Sequence, residues 1–280
     1  MTIRFDGRIA LVTGAGRGLG AAYAHELAAR GASVIVHDAG VDRDGSGGDP
    51  AVADAVVGQI TSTGGAAIPF YENLEESGAG TRLVELVLES FGRLDVVIQN
   101  AGLVIWEEIE VADRSWDRMR RISIDAPFEI TRAAFPAMKD HGYGRFVFTT
   151  SGRAMAMERT RPGLAAYAVA KMASVGLMFV TAAEGEPHGI LANAVAPAAA
   201  TRVFTRPVEP GELEPEQVAP GVVFLASDAC TVTGKVLEAG GGAFDVARWA
   251  SSDDVDFGRD PVDPETIADR WAEIEGMVRA

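Results

Sequence analysis

The chain has 280 residues, 48% of them apolar, and a formal net charge of -15. That length suits one α/β domain with a large core. So acidic a surface argues against nucleic acid and anionic membranes as partners, and leaves an anionic ligand to be held by local features such as a helix N-terminus.

In chain order, short β-branched runs alternate with longer helical ones. Arg8–Val12 reads as a strand, Gly18–Arg30 as a helix, Ser33–His37 as a strand and Ala51–Thr63 as a helix. Then come strand Ala66–Phe70, helix Thr81–Phe91, strand Leu94–Gln99, helix Trp116–Lys139 and strand Arg145–Thr149. Helix Ala165–Ala183, strand Leu191–Val195, helix Glu216–Ala226 and strand Lys235–Glu238 complete the series. Such alternation means βαβ units and a parallel sheet, and near-continuous apolar strands mean helices on both faces. The fold expected is a Rossmann-type doubly wound α/β/α sandwich of about seven strands, with its ligand site beyond the carboxyl ends of the strands.

Two segments break the alternation. Gly40–Pro50 is a polar, glycine-rich loop, and Val203–Pro220, with four prolines, reads as a flap beside the site. The expected organisation is one catalytic domain over 1–250 and a C-terminal extension over 251–280 packed on it, with a helix at Pro264–Met277 capped by Asp263. The lone Cys230 suits a reducing compartment. Met1–Gly7 has no apolar signal core, and Met172–Ala183, the longest apolar stretch, is short for a bilayer. The expectation is a soluble, cytoplasmic protein.

Thr13-Gly14-Ala15-Gly16-Arg17-Gly18-Leu19-Gly20 follows the first strand and opens the first helix. Glycines there let the backbone turn tightly and approach a pyrophosphate, which the free N–H groups of the helix N-terminus then hold. Asp38 ends the second strand, about 20 residues after Gly18, where a carboxylate accepts the adenosine ribose hydroxyls and repels a 2′-phosphate. NAD is therefore the cofactor expected over NADP, with Arg17 and Arg43 as counter-arguments.

Tyr167 and Lys171, at i and i+4, share one helix face. An ammonium beside a phenol, whose pKa is ordinarily about 10, stabilises the phenolate and readies it to move a proton near neutrality. Ser151, or its neighbour Thr150, stands after the fifth strand to hold a substrate oxygen. The four histidines lack metal-ligand spacing, so no metal is expected.

At these residues the chain resembles the short-chain dehydrogenase/reductase family, whose motifs are TGxxxGxG, NNAG, a serine after the fifth strand, and YxxxK. The resemblance runs from about Phe5 to Ala247. It implies that Tyr167 is the catalytic acid/base, that Lys171 holds the nicotinamide ribose and lowers the tyrosine pKa, and that Ser151 orients the substrate. It further implies that Asn100, Ala101 and Gly102 lie along the cofactor, that Glu72, Asn73 and Leu74 meet the adenine, and that Pro197 and Thr201 flank the nicotinamide. Gln99 and Ala198 depart from the family pattern, as does Ser123, which stands where an asparagine completes a proton relay. The Ser151–Tyr167 gap is longer than usual, with Met157–Pro162 as the insertion. A homodimer or homotetramer is implied, with Trp116–Lys139 and Gly163–Ala183 at an interface.

One subgroup is nearer. VTGAGRGLGAAYA, GRLDVVIQNAG, ITRAAFPAMKDHGYGRFVFTTS and NAVAPAAATR are similar to the hydroxyacyl-CoA dehydrogenase unit of peroxisomal multifunctional enzyme type 2. That likeness implies NAD-dependent oxidation of (3R)-hydroxyacyl-CoA thioesters. Met155, Met157, Leu164 and Val203 are then expected to border an acyl cleft, and Arg153, Arg159 and Arg161 to meet CoA phosphates. The alternatives are a reductase of a steroid, terpenoid or polyketide ketone, and a nucleotide-binding regulator without catalysis. The intact Ser151, Tyr167 and Lys171 argue against the regulator.

Overall fold

A computed structural model describes residues 2–42, 46–200 and 208–276. Their contacts divide the chain into two compact units, Met1–Val246 and Ala247–Ala280. The first unit is built on one sheet in the order β3-β2-β1-β4-β5-β6-β7-β8. Its strands are β1 (Ile9–Thr13), β2 (Ser33–His37), β3 (Ala66–Phe70), β4 (Val96–Gln99), β5 (Gly144–Thr149), β6 (Ile190–Ala198), β7 (Val236–Gly240) and β8 (Ala243–Ala247). All pairs from β3 through to β7 are parallel. β1, β4 and β5 are buried along their whole length, which is why their sequences are apolar without alternation.

Helices α1 (Gly18–Ala29), α2 (Ala51–Ser62) and α3 (Ala79–Phe91) follow the first three strands. α4 (Asp113–Arg120) and α5 (Ala126–His141) lie between β4 and β5, α6 (Gly152–Met155) and α7 (Ala165–Gly185) between β5 and β6, and α8 (Ala219–Leu225) before β7. α1 touches α2 and α8, while α5 touches α3 and α7, so two helical layers enclose the sheet. The expected three-layer α/β/α architecture is the one observed.

The differences have local causes. β8 adds an eighth strand, joined to β7 by Gly241-Gly242; so short a connection makes the pair an antiparallel hairpin. It is an exposed edge strand, so no buried run marks it. The helix expected over Trp116–Lys139 is interrupted by a π turn at Arg121–Asp125. Pro127 has no N–H to give the Ser123 carbonyl four residues back, and the ladder widens so that the Ala126 N–H meets the Arg121 carbonyl. α7 continues through a 3₁₀ turn, so that Ala165–His188 is long and apolar enough to cross a membrane by length and hydropathy; Met172–Ala183 understated it. α7 packs against β5, β6 and α4, as a helix of the sandwich does. In the second unit the expected single helix is two, α9 (Pro264–Asp269) and α10 (Trp271–Ile274), with Asp263 capping the first as expected. Met277 lies outside the described residues.

Candidate active site

Sheet order reverses between β1 and β4, and the strand ends there open into a cleft of about 810 Å³. A reversal point is where an open α/β sheet leaves room for a ligand. Gly14, Arg17, Gly18, Leu19, Asp38, Glu72, Asn73, Leu74, Asn100, Ala101, Gly102 and Pro197 all line it, as do Ser151, Tyr167 and Lys171. Thr201, Val203 and Arg43 lie outside the described residues.

Gly16 and Gly20 do not line the cleft; they shape the turn from behind. A Cβ on Gly20 would sit 2.1 Å from the Gly14 carbonyl oxygen, so only glycine lets α1 start against the end of β1. The Gly16 N–H donates to Asp38 Oδ2 (2.9 Å) and the Gly40 N–H to Oδ1 (2.8 Å), which fixes the Asp38 carboxylate at the end of β2. Asn100 Nδ2 donates to the carbonyls of Thr13 (3.1 Å) and Gly14 (3.0 Å), so its side chain holds the glycine turn. No side chain caps the first turn of α1, leaving its N–H groups for a ligand. At the end of β3, Glu72 Oε2 is buried without a hydrogen-bond partner. An orphaned buried carboxylate oxygen is costly unless a ligand donor meets it.

At the other end, Lys171 is buried and donates from Nζ to the Thr149 carbonyl at 3.1 Å. Burial pushes its pKa down to about 8. Nζ lies 5.9 Å from the centre of the Tyr167 ring. Burial pushes the Tyr167 hydroxyl up from its ordinary value, against the opposing effects of a hydrogen bond with Ser151 and the Arg153 charge. The groups that oppose burial are therefore Ser151 and Arg153, and the lowering expected from Lys171 is not seen. Thr150 donates its hydroxyl to the Lys171 carbonyl at 2.7 Å, so Ser151 is the hydroxyl that Tyr167 meets.

Ser123 sits in the π turn, buried, its hydroxyl unpartnered. It does not line the cleft. A side chain on Gly102 would begin 3.8 Å from Ser123 Oγ and 3.4 Å from Lys171 Nζ, so both groups crowd the same glycine.

The substrate end departs from expectation. Leu164 lines it, but Met155 and Met157 do not, and Met157 is 90% exposed. The insertion is pinned by an Arg159–Glu238 ion pair of 2.5 Å, which ties its 3₁₀ turn to β7 and leaves Met157 facing outward. Arg161 donates to the carbonyls of Glu158 and Thr160 away from the cleft. Arg153 and Arg159 do line it, as do Trp106, Leu213 and Glu238, which sequence reasoning missed. Trp106, the one aromatic in the loop after the NAG motif, was the available signal. Leu213 has φ +56°, a strained value for a branched side chain, within the expected flap.

The short chain dehydrogenase family model matches residues 8–212. Peroxisomal multifunctional enzyme type 2 of Mus musculus is 39% identical over 279 residues, 97% of this chain; the chain spans 37% of that protein. A short-chain type dehydrogenase/reductase of Mycobacterium tuberculosis is 36% identical, covering 96% of this chain and 94% of the relative. The crystal structure of a short chain dehydrogenase from Mycobacterium avium superposes with a TM-score of 0.84 at 36% identity, covering 99% of this chain and 97% of the other. The chain belongs to the short-chain dehydrogenase family: it is a Rossmann-fold, NAD(P)-dependent oxidoreductase acting on CH–OH groups.

Proposed function

We propose that the protein is an NAD-dependent dehydrogenase of a secondary alcohol, the (3R)-hydroxyacyl-CoA class. The observation that carries the reading is one cleft with the uncapped glycine turn and Asp38 at one end and Ser151, Tyr167 and Lys171 at the other. The four segment resemblances and the mouse relative support the acyl-CoA class.

The cofactor fits these residues. The N–H groups opening α1 take the pyrophosphate, the orphaned Glu72 Oε2 suits an adenine amino group, and the Asp38 carboxylate takes ribose hydroxyls. Arg17 gives one guanidinium N–H to the Val41 carbonyl at 3.3 Å, and the Asp38 carboxylate, which repels a 2′-phosphate, is what favours NAD over NADP. When bound, NAD supplies the hydride acceptor. Ser151 holds the substrate oxygen, and Tyr167 removes its proton. Lys171, fixed by the Thr149 carbonyl, carries the positive charge that stabilises the phenolate and grips the nicotinamide ribose. Burial raises the Tyr167 pKa, and the Ser151 hydrogen bond and the Arg153 charge act against it.

Exposed Phe128 on α5 and Val169, Phe179 and Val180 on α7 support a homodimer or homotetramer through these helices. The buried free thiol of Cys230 suits a reducing, cytoplasmic setting.

The test is a panel of (3R)-hydroxyacyl-CoA esters, steroid and terpenoid alcohols, each with NAD and NADP, read at the nicotinamide absorbance. Preferred turnover of the CoA esters with NAD is expected. Turnover confined to uncharged alcohols moves the assignment to the steroid or terpenoid class.

A further inference from the structure

The segment between β5 and α7 carries three arginines whose fates differ. Arg159 is neutralised by Glu238. Arg161 is spent on main-chain carbonyls outside the cleft. Arg153 lines the cleft with no carboxylate partner among the described residues. Its guanidinium lies over the Trp106 ring, 5.9 Å from the centroid, a contact that steadies a cation without neutralising it. Its main-chain N–H donates to Ser151 Oγ at 3.2 Å, so the side chain springs from beside the hydroxyl that meets Tyr167.

We infer that Arg153 determines specificity by taking an acyl oxygen of the substrate, a thioester carbonyl or a carboxylate, beside the reacting carbinol. The inference rests on the dehydrogenase reading above and names what stands next to the carbinol. A guanidinium has five donors and no acceptor, so what it receives must be an acceptor, and a planar acyl group suits its fork. The reacting carbinol has to reach Ser151 and Tyr167, which places its nearest substituents at Arg153. The phosphates of a CoA ester stand a whole pantetheine arm away, so Arg153 is not their anchor. This replaces the expectation that three arginines act together on those phosphates. The Arg159–Glu238 pair contributes indirectly. It occupies a cleft carboxylate that a Cβ on Gly152, the neighbour of Arg153, would meet at 3.1 Å, and so keeps that carboxylate from neutralising Arg153. The Arg153 charge also acts on Tyr167, which ties substrate selection to proton transfer.

The experiment compares wild type with Arg153→Leu and Arg153→Lys on three substrates of one chain length. These are a 3-hydroxyacyl N-acetylcysteamine thioester, the free 3-hydroxycarboxylate, and a secondary alcohol with no acyl oxygen. kcat/KM is taken over a pH series with NAD, so that any change in Tyr167 ionisation, common to all three, cancels in the ratios. Wild type should favour an acyl-bearing substrate over the plain alcohol, and Arg153→Leu should shrink that ratio about tenfold to a hundredfold, the worth of one charged hydrogen bond. Arg153→Lys should recover part of it, keeping the charge but losing the fork. Arg161→Leu should leave the ratio unchanged. A loss concentrated on the thioester assigns the carbonyl, and a loss concentrated on the free acid assigns a carboxylate. An unchanged ratio in Arg153→Leu overturns the inference and leaves the dehydrogenase reading standing. No turnover of any of the three by NAD-binding wild type removes the reading itself.

Discussion

Replacing Lys171 by methionine should stabilise the protein while abolishing turnover. The ammonium is buried, and it donates to the Thr149 carbonyl. Its pKa falls from 10.5 to about 8. That gap corresponds to about 3 kcal/mol of destabilisation wherever both folded and unfolded chains keep the proton, that is, below pH 8. Methionine fills a similar volume without charge, and the lost hydrogen bond costs about 1 kcal/mol. The net expectation near pH 7 is a gain of about 2 kcal/mol, or a rise in Tm of roughly 3–4 °C for a chain of 280 residues. Between about 8 and 10.5 the folded wild type binds fewer protons than the unfolded chain, so its stability climbs with pH on this account. The advantage of Lys171→Met should therefore shrink through that window and vanish above it. Tyrosine titrations common to both proteins cancel in the difference. Urea unfolding of wild type and variant at pH 7, 9 and 10.5, without cofactor, reads the effect. A variant less stable than wild type at pH 7, by an amount independent of pH, would refute the reasoning.

Two further outcomes follow from the geometry. Asp38→Ala removes the carboxylate that repels a 2′-phosphate and accepts the Gly16 and Gly40 N–H groups; the ratio of kcat/KM for NAD over NADP should fall, with a stability loss of about 1–3 kcal/mol, both checked by steady-state kinetics and thermal unfolding. Gly20→Ala forces a Cβ to within 2.1 Å of the Gly14 carbonyl. Calorimetry should show sharply weaker NAD binding and a Tm lowered by the equivalent of about 1–3 kcal/mol, the usual cost of overpacking.

The fold was legible because its signal is repetitive. Apolar strands such as Val96–Gln99 can be buried on both faces only in a covered parallel sheet, and the glycine turn sits between a strand and a helix where phosphate chemistry needs it. What escaped depended on contacts that no local pattern encodes. The π turn at Arg121–Asp125 follows from a single missing N–H at Pro127, inside a segment whose periodicity otherwise reads as one helix. β8 lies exposed behind a glycine run. At the site, the roles of Ser151 and Thr150 separate only when Thr150 is seen bonded to the Lys171 carbonyl. Met157, expected at the acyl cleft, faces outward because the Arg159–Glu238 pair sets the attitude of the insertion, and that partner comes from a distant strand.

The central claim is that Tyr167 moves the proton at one end of a cleft whose other end holds NAD. Tyr167→Phe removes the hydroxyl and keeps the ring. The decisive measurement is its kcat for a (3R)-hydroxyacyl-CoA ester beside its Kd for NAD, both set against wild type. A kcat lower by roughly 10²–10⁴, the range for loss of an acid–base group, with an essentially unchanged Kd is the result expected. Turnover within a few-fold of wild type would contradict the account.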